Sequence, residues 1–325
     1  MKRYLTLLLS VIVMLGLMSG CTKDDDDDNG TGPELTTFEK LTTYMSEQSL
    51  DLPDVLTGWL IGASTLVGNE DDYFVVDIRS EALYNAGHIP GAHNASLADI
   101  VDYVSVHNTE MKPVVIACYT GQSACRAVVA LRMSGYSDAA SLGFGMSSWH
   151  SSLDSWSGNT GSIAVGHSNW STDAAPDLPT FTEEPTITTT ATEGADILAA
   201  QVEYMLNKSG WGINASDVLD APNTFTIFNY WGATDYDTYG HIAGAYQLTP
   251  GALTIANDGL AVMDPVGTNV IYCWTGQTSS MVTAWLDLLG YDAKSLKFGA
   301  NGMIYDELTG HKWAGSADYT LETGE

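Results

Sequence analysis

The chain is written twice. Residues 73–96, YFVVDIRSEALYNAGHIPGAHNAS, and 112–149, KPVVIACYTGQSACRAVVALRMSGYSDAASLGFGMSSW, return as 224–250, TFTIFNYWGATDYDTYGHIAGAYQLTP, and 268–303, TNVIYCWTGQTSSMVTAWLDLLGYDAKSLKFGANGM. The GHI triplets are offset by 153 residues (87 to 240) and the cysteines by 155 (118 to 273). Agreement over several ordered blocks is duplication, so any fold proposed for one copy must serve the other. The 325 residues, 45% of them apolar, supply enough for two cores.

Both copies follow one grammar. A short apolar run (Phe74–Ile78; Phe225–Phe228) predicts a buried strand, and a turn containing GHI follows. A second such strand (Val114–Ala117; Val270–Tyr272) delivers a cysteine. After a small polar loop, ACRAVVALRMSGY and SSMVTAWLDLLGY have helical spacing and stop at Gly135 and Gly290. A further short strand (Ala139–Leu142; Lys294–Leu296) leads to glycine-rich turns. Strands alternating with helices predict an α/β fold, each copy a mostly parallel sheet flanked by helices. The domains run over 36–160 and 193–325, joined by a Ser/Thr/Pro-rich linker over 161–192.

The order strand, cysteine, loop, helix carries the chemistry. A cysteine ending a buried parallel strand sits at the sheet edge where α/β proteins place their sites. The amides of the next residues, not yet helical, are free to curl around one point. Gly121 and Gly276 permit the positive φ such a curl needs. Converging amides and the positive end of the following helix favour an anion, so Cys118 and Cys273 are candidate nucleophiles as thiolates or persulfides. The loops comprise Tyr119, Thr120, Gly121, Gln122 and Ser123, and Trp274, Thr275, Gly276, Gln277 and Thr278. Their hydroxyls are candidate further donors to the sulfur, and Tyr119 and Trp274 candidate pocket walls. A phosphatase loop would carry an arginine six residues after the cysteine to clamp phosphate. Ala124 and Ser279 stand there instead.

The ordered blocks VVDIR, GHIPGAHN, CYTGQS and SLGFGMSSW resemble those of rhodanese domains, the sulfurtransferase family, and the likeness covers most of both copies. The resemblance implies that Cys118 accepts a sulfane sulfur, holds it as Cys–S–S⁻ and passes it to a thiophilic acceptor. It also places Asp77 and Arg79 on the family's D-x-R, where they form an ion pair holding a turn or lend positive charge to the loop. Copy two reads Asn229 and Trp231 at the matching positions, so its activity is expected to be weaker or altered. The loops themselves are uncharged, unlike those of thiosulfate-using members. This puts thiosulfate in doubt as the donor and leaves polysulfide, a small persulfide or another protein's persulfide open, with a thiol or cyanide-like acceptor.

His88 and His241 are expected to be hydrogen-bonded turn residues rather than bases, since amide-held thiolates need none. Cys125, seven residues after Cys118, is either a small buried side chain or a resolving thiol that would close a disulfide with it. Three readings therefore stand: a sulfurtransferase, a persulfide carrier without turnover, and a redox sensor using Cys118 with Cys125. No spacing of His and Cys suggests a metal, and no cofactor is implied.

The N-terminus reads as an export signal over 1–20, ending in LMSGC. The ending resembles a bacterial lipobox and implies lipid attachment at Cys21, followed by an acidic disordered tether over 21–35. That tether resembles the surface-export signals of some Bacteroidetes lipoproteins. The expected location is the bacterial cell envelope, lipid-anchored to a membrane, the outer membrane above all, facing periplasm or exterior. Beyond Cys21 three cysteines remain, an odd number, so at least one free thiol is expected. Net charge is −28, and −30 once Lys2 and Arg3 leave with the signal. Such a surface excludes nucleic acid as a partner and repels anionic lipid.

Overall fold

Short apolar runs alternating with helical segments bring successive strands back in the same direction, and both copies build the same sheet from them. The computed structural model describes residues 34–324, so the predicted signal, Cys21 and nearly all of the tether lie outside the described residues. In the first copy β1 (Leu60–Ile61), β2 (Phe74–Asp77), β3 (His93–Asn94), β4 (Val114–Ala117) and β5 (Ala140–Leu142) lie in the order β1-β5-β4-β2-β3. Every pairing is parallel. A two-residue strand, β6 (Trp170–Ser171), follows. In the second copy β7 (Gly212–Ile213), β8 (Thr226–Asn229), β10 (Tyr246–Gln247), β11 (Thr268–Tyr272) and β12 (Asp292–Leu296) repeat that order as β7-β12-β11-β8-β10, again all parallel. β9 (His241–Ile242) pairs antiparallel with β6, so the segment between the copies is stitched to the second GHI turn.

All residues of β2 and β4 are buried, as continuous apolar strands covered on both faces require. Register aligns Asp77 with Ala117 and Asn229 with Tyr272 at the carboxyl ends of the central strands. The next residue along β4 and β11, Cys118 or Cys273, therefore emerges at the edge that faces the loops.

The copies share a core. The helices after the cysteines, Gln122–Met133 and Gln277–Leu288, pack on each other. Every residue but Ser123 in the first and Thr278 in the second is buried. Such a helix needs no polar face, because its own sheet covers one side and its twin the other. The helix Thr37–Glu47, started by a capping box between Thr36 and Glu39, packs on Gly194–Asn207 and extends the junction. One apolar cluster runs through Val128 and Leu131 of the first copy and Val202 and Trp285 of the second. Leu35 onward is thus one unit. The chain's last residues, assigned by sequence to the second domain, return to the first. Tyr319 N donates to Trp149 O at 2.9 Å, and His88 and Glu322 exchange backbone hydrogen bonds at 2.9 and 3.0 Å. Among the described residues no helix is long and apolar enough to cross a membrane.

Candidate active site

In the first loop the carbonyls are tied outward, which turns amides inward. Met146 N donates to Cys118 O at 2.7 Å, Ser147 Oγ to Tyr119 O at 2.8 Å, Trp156 Nε1 to Thr120 O at 3.1 Å and Ser141 Oγ to Gly121 O at 3.2 Å. Gly121 takes φ +82° as the N-cap of the helix, with no side chain to satisfy the first amides. Those amides find the sulfur instead. Gly121 N lies 3.2 Å and Ala124 N 3.4 Å from Cys118 Sγ. Two main-chain dipoles and a helix N-terminus thus converge on one sulfur, an arrangement that stabilises negative charge there.

The second loop repeats the frame. Ala300 N donates to Cys273 O at 3.0 Å, Asn301 Nδ2 to Trp274 O at 2.8 Å, and Gly276 takes φ +76°. Its cradle differs in kind. Ser279 N stands 3.3 Å from Cys273 Sγ, and Ser279 Oγ lies 3.5 Å away where the first copy has Ala124. One amide donates to this sulfur where two do in the first copy, and the Cys273 thiol is placed to donate to Ser279 Oγ. Ser279 is the hydroxyl that reaches a sulfur; Thr120 and Thr275, expected to help, instead accept the Gln122 and Gln277 side-chain amides at 3.1 Å each.

Asp77 and Arg79 form a buried bidentate pair, with Arg79 Nη2 2.6 Å from Asp77 Oδ2 and also donating to Gly87 O. The pair ties the end of β2 to the GHI turn, and the guanidinium carbon stands 5.8 Å from the Tyr119 ring centroid. Its charge is neutralised in place. His88 stacks on Tyr84, and its Nδ1 is 2.8 Å from Tyr84 O, a turn residue as its setting suggests. In the second copy the same three places hold Asn229, Trp231 and His241, and Asn229 Oδ1, Trp231 Nε1 and His241 Nδ1 are buried without a hydrogen-bond partner. The apolar exchange of Arg for Trp removes the partner that the ion pair supplied. Trp231 stacks on Trp274 at 4.1 Å, and His311 lies on that ring's stack at 5.1 Å.

Cys125 is sealed in the shared core, and burial pushes its thiol well above the ordinary range. Cys118, Cys125 and Cys273 are all free. Arg126 lies buried on the helix, not in the loop, and its Nη2 pairs with Asp287 of the second copy at 3.0 Å.

Sequence reasoning left two features unseen. The aromatic residues Phe144, Trp156, Phe298 and Trp313 meet between the loops, with Trp156 at 5.0 Å from Phe144 and 5.1 Å from Phe298. Trp156 and Trp313 stand far apart in the chain, and no local pattern in the sequence shows that they meet two phenylalanines. Beside the second loop a cavity of about 290 Å³ is lined by Trp59, Phe144, Trp274, Gln277, His311 and Lys312. Lys312 Nζ sits 4.1 Å from the Tyr305 ring centroid, and no carboxylate lies within ion-pair distance of it among the described residues. A lone lysine 39 positions beyond Cys273 (273 to 312) gives no signal in sequence that it will approach that loop.

The family description "Rhodanese-like domain" matches residues 63–152, within the first copy. The chain is 39% identical over 80 residues to thiosulfate sulfurtransferase GlpE of Pseudomonas fluorescens, covering 25% of this chain and 72% of that one. It is 36% identical over 76 residues to the protein of the same name from Shewanella oneidensis, covering 23% and 74%. Among solved structures it is similar to 3-mercaptopyruvate sulfurtransferase from Leishmania major, with 14% identity, 75% of this chain and 72% of that one covered, and a TM-score of 0.28.

Proposed function

We propose that this chain, which belongs to the rhodanese-like family, is a sulfurtransferase that carries sulfane sulfur on Cys118. The observation that carries the reading is the pair of amides, Gly121 N and Ala124 N, directed at Cys118 Sγ. The Cys118 thiolate attacks the sulfane sulfur of the donor. The donor's S–S bond breaks, and its remaining thiolate leaves with the electron pair. The loop amides hold the resulting Cys–S–S⁻. An acceptor thiolate or cyanide then attacks the outer sulfur, the S–S bond breaks, and Cys118 thiolate is restored. No oxidant is consumed.

The relatives are named for thiosulfate. Here the loops carry no cation, Arg79 is neutralised by Asp77, and the chain bears −28, all of which weigh against a dianion. A persulfide, small or borne by a protein, or a polysulfide in its singly charged form HSn⁻, suits the site better. The cavity beside the second loop, with Lys312 at its wall, offers such an anion a charge partner. The first copy is the more active: two amides face its sulfur and one faces Cys273. Lipidation at Cys21 and placement at the cell envelope belong to the same proposal and rest on the LMSGC motif.

Thiocyanate production from polysulfide and cyanide by the purified chain tests the reading. Turnover that disappears in Cys118→Ser supports it; turnover unchanged in that variant would refute it.

A further inference from the structure

We infer that Gln122 and Gln277 are positioning residues, each holding the other copy's cysteine loop, so that the two loops form one closed hydrogen-bonded ring. Gln122 stands in the first loop, and its Oε1 accepts from Phe298 N of the second copy at 3.0 Å. Gln277 stands in the second loop, and its Oε1 accepts from Phe144 N of the first at 2.8 Å. Each glutamine also braces its own loop through the side-chain amide, on Thr120 or Thr275. From Phe298 the ring runs two residues on to Ala300, whose amide holds Cys273 O at 3.0 Å. From Phe144 it runs to Met146, whose amide holds Cys118 O at 2.7 Å.

Three further observations show that this contact is built and not incidental. Both phenylalanines take φ +60°, a left-handed conformation a bulky residue adopts only where its surroundings demand it. Both glutamines are buried, so a lost partner leaves an amide unsatisfied. The packing is also mutual at the loop glycines. A Cβ on Gly276 would fall 2.6 Å from Gln122 Oε1, and one on Gly121 would collide with Gln277 Oε1. Neither loop has room to shift without its counterpart. Glutamine suits the task because one planar group supplies both the acceptor for the foreign amide and the donor for its own threonine.

The inference takes from the proposed function only that both cysteines are reactive. Its test needs no sulfur donor, so the two fail separately. The rates at which iodoacetamide labels Cys118, Cys125 and Cys273 are measured by peptide mass spectrometry on the whole chain. Gln122→Ala is expected to speed labelling of Cys273 about fivefold or more, and Gln277→Ala that of Cys118, the effect of one lost buried hydrogen bond. Cys125 reports global loosening and should stay slow. Gln122→Glu keeps an oxygen for Phe298 N and should return Cys273 towards its original rate. The inference is overturned if Gln122→Ala leaves Cys273 unchanged, if all three cysteines speed up together, or if Gln122→Glu rescues nothing. Should the alanine variants fail to fold, amide hydrogen exchange of the unaltered chain decides. Protected Phe144 and Phe298 amides support the ring, and amides exchanging at unstructured rates contradict it.

Discussion

Arg126 of the first copy donates through Nη2 to Asp287 Oδ2 of the second at 3.0 Å, both side chains being wholly buried. The carboxylate also receives Lys208 Nζ at 2.7 Å, so the charge at the centre of the junction is shared among three residues. The repeat itself offers the apolar alternative, since Met281 occupies the place of Arg126 in copy two. Arg126→Ala removes the deeper cation and should cost about 3 kcal/mol, the low end for breaking a buried pair because Lys208 remains. Urea unfolding measures this. A loss below about 1 kcal/mol would place the pair among exposed ones in energetic terms and contradict its role at the junction.

Gly145 packs directly against the backbone of the first site. It takes φ +62°, and a Cβ there would lie 2.6 Å from Gly121 N and 2.7 Å from Thr120 N, the backbone of the cradle itself. Gly145→Ala should therefore displace those amides and lower sulfur loading of Cys118 on the order of tenfold or more. Gly143→Ala, where a Cβ meets only ordinary contacts from 3.4 Å outward, is the comparison. Equal loading in the two variants would show that the carbonyl-out, amide-in frame is unimportant.

Burial holds the His241 imidazole below its ordinary value, with Asp173 and Asp237 pulling weakly the other way. The folded chain keeps this ring neutral while the unfolded chain takes up a proton below about pH 6.5. The unfolded state then binds more protons, so this residue's contribution to stability is whole above that pH and is lost as pH falls towards the depressed value. Unfolding midpoints at about pH 7.5 and 5.5 should differ less in His241→Gln than in the unaltered chain. An unchanged difference would mean that the ring does not titrate with folding.

Copy two should transfer sulfur more slowly than copy one. Cys118→Ser is expected to remove most turnover and Cys273→Ser the smaller part, because the second cradle has one amide where the first has two. Equal losses would count against the asymmetry.

Periodicity and repetition made the sheets legible: apolar runs of three to five residues, the second of each copy followed by a cysteine, lie within a residue or two of β2, β4, β8 and β11. The cradle followed from the order of elements and from Gly121 and Gly276. What the sequence did not reveal depends on contacts between distant positions. Nothing local to Gln122 says that its acceptor will meet Phe298, 176 residues away, and nothing in ACRAV distinguishes a core-facing arginine from a surface one. Thr120 and Thr275 were expected to serve the sulfur, but the adjacent glutamine amides reach them first. The ion pair of Asp77 and Arg79 was visible as a motif, whereas its neutrality was not, since that depends on the side chains closing on each other within a turn.

The most direct measurement is the intact mass of the chain after brief exposure to polysulfide, before and after cyanide, with the modified cysteine located by peptide mapping. A gain of one sulfur atom on Cys118 that cyanide removes is the predicted result. A thiol at that position that takes up no sulfur, or a chain that loads equally well as Cys118→Ser, would contradict the account.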